Sequence, residues 1–125
     1  MIAPASGWMI DVERGPDWLF VHLEIPADGD PEASSLAESV WSVVKQHFVY
    51  RVVLECDRLP LLTSALIAQL IGLHRRLQKQ GGLLRLSGLS DDNQQLLRSC
   101  RLDVLFPQFR SRSHAVLAHR PLQPR

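Results

Sequence analysis

The chain, 125 residues long, has little cysteine, no excess of either charge and none of the short motifs that mark common active sites. Cys56 and Cys100 are its only cysteines and no CxxC pair occurs, so a disulfide framework is excluded and a reduced, cytoplasmic setting is the expectation. Lys and Arg number 14 against 13 Asp and Glu, a formal net charge of +1, which leaves no electrostatic footprint for direct nucleic-acid binding. Basic residues are denser after Gly72 but lie among apolar ones, as on a solvated face. No run approaches the roughly 20 apolar residues of a membrane span, and residues 1–12 lack the basic and apolar regions of a signal peptide, so no membrane contact is expected. His22, His47, His74, His114 and His119 show no HxxxH spacing with an acidic partner, which argues against a metal. GxSxG, GxGxxG and the Walker loop are missing, and Gly81-Gly82 follows a helix instead of opening one, the wrong polarity for a phosphate cradle. The chain reads as no enzyme, with no cofactor.

What the sequence does contain is organised around residues 51–88. Residues 51–56 and 83–87 are short, apolar and bounded by breakers, whereas residues 63–80 between them carry the period of a helix. That is a βαβ unit with parallel neighbouring strands. On a helical wheel Leu66, Ile67, Leu70, Ile71, Leu73 and Leu77 gather on one arc, which must face the sheet. On the opposite face Ser64, Ala65, Ala68 and Gly72 lie with Arg75, a small and nearly flat surface that admits another backbone closely.

Around this unit, residues 8–13 and 18–25 read as a hairpin across the turn Arg14-Gly15-Pro16-Asp17, with Leu19, Val21, Leu23 and Ile25 inward. Asp30 is placed to cap a helix that starts at Pro31 and runs to about Phe48, its buried arc being Leu36, Val40, Val43, Val44 and His47. Gly81 suits a left-handed helix exit. Ser90 is an N-cap, with Asp91 and Asp92 in the first turn and Leu96, Leu97 and Cys100 as the apolar face. Residues 102–107 form an apolar connector and residues 111–119 a short terminal helix. The order β-β-α-β-α-β-α-α describes an α/β domain, helices packed on a small mixed sheet of about four strands. Residues 8–120 form one domain between tails 1–7 and 121–125.

One position stands out chemically. Thr63-Ser64 opens the central helix straight after the apolar loop Leu59-Pro60-Leu61-Leu62. A hydroxyl there caps backbone donors, which explains most such residues. The alternative is that Ser64 is phosphorylated, adding about two negative charges that the helix dipole tolerates and that spoil a docking surface.

The order of elements and the phrase VVLECDRLPLLTSALIAQLIGLHRRLQKQGGLLRLSGLSDDNQQLLRSCRLDVLFPQF resemble a STAS domain, the family of anti-sigma factor antagonists. In that family a strand ending in an acid leads through an apolar loop to an Asp-Ser-Ser/Thr-Gly turn. Glu55 matches the acid, Leu61-Leu62 the loop, Ser64 the phosphorylated serine, and residues 102–106 the closing Leu-Asp-x-Leu-Phe segment. The motif is degenerate: Thr63 stands for the Asp, Ala65 for the second hydroxyl residue, Leu66 for the glycine, and Arg101 where a glycine is common. The resemblance implies a non-catalytic partner switch, in which the unphosphorylated form sequesters an anti-sigma serine kinase and a serine phosphatase resets it. Partner binding falls on Leu61, Leu62, Thr63, Ala65, Leu66, Ala68, Gly72 and Arg75, with Ser64 as the candidate phosphosite. The alternative is a constitutive scaffold or homo-oligomerisation module in which Leu61, Leu62 and Leu66 form an exposed apolar patch.

Overall fold

The computed structural model describes residues 8–25 and 35–117. Strands β1 (Met9–Arg14) and β2 (Leu19–Glu24) form the expected hairpin, its turn closed by the Gly15 N–H donating to the Trp18 carbonyl at 2.8 Å. Along β2 burial alternates, with Leu19, Val21 and Leu23 fully inside. Helix α1 (Leu36–His47) follows and ends at Phe48, which adopts the left-handed conformation at φ 54°. The expected cap Asp30 and start Pro31, and both tails, lie outside the described residues. Then come β3 (Arg51–Glu55), α2 (Ser64–Lys79), β4 (Leu83–Ser87), α3 (Asp91–Ser99), β5 (Gln108–Phe109) and α4 (Arg112–Leu117).

The sheet runs β1-β2-β3-β4-β5, antiparallel between β1 and β2 and parallel thereafter. The four-strand mixed sheet read from the sequence is present, and β5 extends it by two residues that pair with Leu86 and Ser87. So short an edge strand rests on main-chain bonds and leaves no alternation to read. Of the expected terminal helix, α4 occupies the described part; residues 118 and 119 lie outside it.

The sheet has two unequal cores. On one face Val52, Leu54, Leu84 and Leu86 join Leu70, Leu73 and Leu77 of α2, Val40 and Val44 of α1, and Leu97 of α3. On the other, Trp18, Val53 and Phe109 pack with Ala115 of α4. Residues 52–54 are therefore all buried, as befits a parallel strand covered on both sides. The Arg85 guanidinium lies 5.0 Å from the Trp18 ring and 5.3 Å from the Phe109 ring and donates to the Ala115 carbonyl, fastening α4 to the second face. Cys100, expected in the apolar face of α3, is instead exposed. The helix ends at Ser99, so Cys100 serves as the C-cap and leaves the buried arc. Arg101 beside it takes φ 59°, a left-handed conformation that costs a side-chain-bearing residue energy and suits the glycine common there in the resembling family.

Two sites generate measurable expectations. Gly82 passes so close to Tyr50 that a Cβ would sit 2.0 Å from the Tyr50 carbonyl oxygen, which itself accepts from the Leu83 N–H at 3.0 Å. Because the clash is with backbone, Gly82→Ala should cost on the order of 3 kcal/mol or more, read as a lower midpoint in urea.

His74 is buried against the edge of Phe106, ring centroids 5.7 Å apart, and neither ring nitrogen has a hydrogen-bond partner among the described residues. It is thus a core histidine, though not a satisfied one. Burial, and secondarily the charge of Arg75, hold its pKa below the ordinary 6.5. The unfolded chain then binds the extra proton first, so stability falls as pH drops below about 6.5. Thermal unfolding should show this loss between about pH 7 and pH 5, and His74→Leu should flatten that part of the profile.

Candidate functional site

The loop between β3 and α2 is built from the sheet outward. Cys56 continues β3 with its N–H donating to the Ser87 carbonyl at 2.8 Å, and its thiol donates to the Leu54 carbonyl at 3.3 Å. Full burial and the neighbouring Asp57 and Glu55 push that thiol far up, so it stays protonated and unreactive. The Leu59 N–H turns back to the Cys56 carbonyl at 3.1 Å. Further along, Asn93 of α3 reaches into the loop: its Oδ1 accepts from the Leu62 N–H at 2.8 Å and its Nδ2 donates to the Pro60 carbonyl at 3.0 Å. At the root of the loop His22 Nδ1 lies 3.5 Å from Asp57 Oδ1 and 3.9 Å from Glu55 Oε1. The pair His22 and Glu55 follows directly from the parallel register of β2 on β3.

The two hydroxyls at the start of α2 have separate duties. Thr63 is the N-cap, its Oγ1 accepting from the Leu66 N–H at 3.2 Å, while its carbonyl accepts from the Ile67 N–H. Ser64 is the first helical residue and is exposed. Capping is therefore done by Thr63, which leaves the exposed Ser64 without that duty.

The outward face of α2 is continuous. Ala65, Ala68, Arg75 and Lys79 are exposed with Ser64, and Gly72 is half-buried. Ser64, Ala68, Gly72, Arg75 and Lys79 recur at intervals of four, four, three and four residues, which places them on one stripe about 22 Å long. Among the described residues a Cβ on Gly72 would meet nothing within 4 Å, so no packing among them demands a glycine there. The helix carries no acidic residue. Arg76 is taken up by Glu38 of α1, whose carboxyl it holds below the usual range, and it lies 5.8 Å from the Trp41 ring. Arg75 and Lys79 instead present their charges to solvent.

Two residues expected at a partner surface are elsewhere. Leu62 and Leu66 are each 5% exposed and belong to the main core, whereas Leu61 is 62% exposed. Leu66 lies on the buried arc of the helix, and Leu62 is drawn inward by its amide bond to Asn93. The apolar patch of Leu61, Leu62 and Leu66 therefore reduces to Leu61. Asn93 escaped the sequence reading because nothing in a polar residue at a helix start distinguishes a loop clamp from a solvated side chain. Among the described residues no group of His, Cys, Asp and Glu could hold a metal ion, and no helix is long and apolar enough to cross a membrane.

The same architecture recurs in solved structures. An anti-sigma factor antagonist from Mycobacterium paratuberculosis superposes with a TM-score of 0.71 at 18% identity, over 94% of this chain and 97% of its own. A STAS domain protein from Planctomyces limnophilus gives 0.65 at 18%, over 87% and 96%. The Bacillus cell fate determinant SpoIIAA in its phosphorylated form gives 0.60 at 14%, over 86% and 96%. A comparison with curated protein sequences yields no match. The profile of the STAS domain matches residues 9–115, and with that match the chain belongs to the STAS domain family.

Proposed function

We propose that this protein is a non-catalytic, cytoplasmic regulatory domain of the anti-sigma factor antagonist kind, which docks an anti-sigma factor with serine-kinase activity and is switched at Ser64. The observation that carries this reading is the exposed Ser64, relieved of capping by Thr63, at the head of a stripe of small residues. A phosphate on the first helical residue meets the positive end of the helix dipole, and its bulk and charge would block a partner seated on the stripe. A serine phosphatase would restore docking. The structural likeness to SpoIIAA, solved in a phosphorylated form, supports the same reading.

The docking surface comprises Leu61, Thr63, Ala65, Ala68, Gly72 and Arg75, with Leu62 and Leu66 withdrawn from it because they belong to the core. Arg75 and Lys79, both unopposed on α2, favour a partner that brings carboxylates to that end of the stripe. The alternative, a constitutive homo-oligomeric scaffold, loses most of its basis with the burial of two of its three leucines.

Incubation with an anti-sigma serine kinase from the same genome and ATP, followed by mass-spectrometric mapping, tests the switch. Phosphate is expected on Ser64 and absent from Ser64→Ala; modification elsewhere, or none, rejects it. Gly72→Ala separates stability from docking. With open space around Gly72, the substitution should stabilise the isolated protein by up to about 1 kcal/mol in denaturant titration, while weakening kinase binding in calorimetry.

A further inference from the structure

We propose that Asn93 is the positioning residue for the recognition loop: from the first turn of α3 it fixes Leu61 outward and sets where α2 begins. Its side chain is almost wholly buried, and both ends of its amide are used on the loop backbone, thirty-one and thirty-three residues away in sequence. The two bonds, from the Leu62 N–H and to the Pro60 carbonyl, bracket Leu61. With the carbonyl before Leu61 and the amide after it both held toward α3, the Leu61 side chain stands out in solvent and Leu62 turns into the core. Thr63, the cap of α2, is the next residue, so the clamp and the cap together define the position of Ser64.

Few side chains could take this place. Asparagine offers a donor and an acceptor on one short planar group, which matches a carbonyl and an amide two residues apart. An apolar residue at 93 would leave the buried Leu62 N–H without its partner and release the Pro60 carbonyl. The main-chain N–H of Asn93 is itself held by the Ser90 cap at 3.2 Å, which anchors the residue from which the clamp projects. Loop geometry is thereby tied to the start of α3, and a partner reading Leu61 and Ser64 reads a surface that Asn93 maintains.

The role in recognition rests on the docking reading above; the clamp itself can be tested without it. In the isolated protein, amide exchange at Leu62 should be slow, and Asn93→Val should speed it by about tenfold relative to the Leu54 and Leu86 amides of the central strands. Ser90→Ala, which loosens the anchor of Asn93 at the start of α3 but keeps its side-chain amide, should raise the ratio of Leu62 to Leu54 exchange by less than Asn93→Val does. Asn93→Asp keeps an acceptor for the Leu62 N–H and should fall between the two. If Leu62 in Asn93→Val exchanges in step with Leu54 and Leu86, Asn93 is only a stability residue and the proposal is overturned. In the kinase assay, Asn93→Val should lower kcat/KM for Ser64 phosphorylation severalfold at a temperature where it remains folded. Equal rates for both proteins, despite a loosened Leu62, would overturn the link to recognition. No phosphorylation of either protein would remove the docking reading, and the exchange ratio would still decide the clamp.

Discussion

The rotation of α2 about its own axis is fixed by the burial of Leu66, Leu70, Leu73 and Leu77 in the core shared with Leu54 and Leu86. Each fully buried leucine contributes roughly 2 kcal/mol, so a turn of the helix by one residue would forfeit more than a surface contact could return. Everything on the opposite side follows from that constraint: Ser64, Ala68, Gly72 and Arg75 face outward because the leucines cannot. The same arithmetic settles the competing claims on Leu66. A residue cannot both belong to the core and meet a partner, and here the core holds it.

Charge is partitioned by the same geometry. A formal net charge of +1 conceals arginines with different duties. Arg76 binds Glu38 and lies near Trp41, joining α2 to α1, and Arg85 lies against Trp18 and Phe109, holding α4 to the second face. Arg75, one residue from Arg76 and a hundred degrees away on the helix, has no such partner among the described residues and is exposed. Gln69 completes the joint between the helices, its side-chain oxygen accepting from the Ala37 N–H at 3.0 Å.

Much of this was legible from residue order alone, because it depends on local periodicity. The hairpin, the alternating burial of β2, the apolar arcs of α1 and α2, the Ser90 cap and the left-handed Gly81 all follow from patterns a few residues long. What escaped depends on distance in sequence. The clamp from Asn93 to residues 60 and 62, the second core around Trp18 and Phe109, and the two-residue strand β5 all require knowing which segments meet. Cys100 was misplaced for a different reason: one residue of uncertainty at a helix end moves a side chain from the buried arc to the C-cap.

Spatial order in the sheet repeats chain order, from β1 through β5 without a skipped or interleaved strand. Each new strand therefore finds its neighbour already in place, and no later segment must thread between earlier ones. Such a topology suits growth from the N-terminal side during synthesis, the sheet lengthening by one edge as the polypeptide emerges. The hairpin would serve as the template, and the closure of the second face by α4 would come last among the described elements.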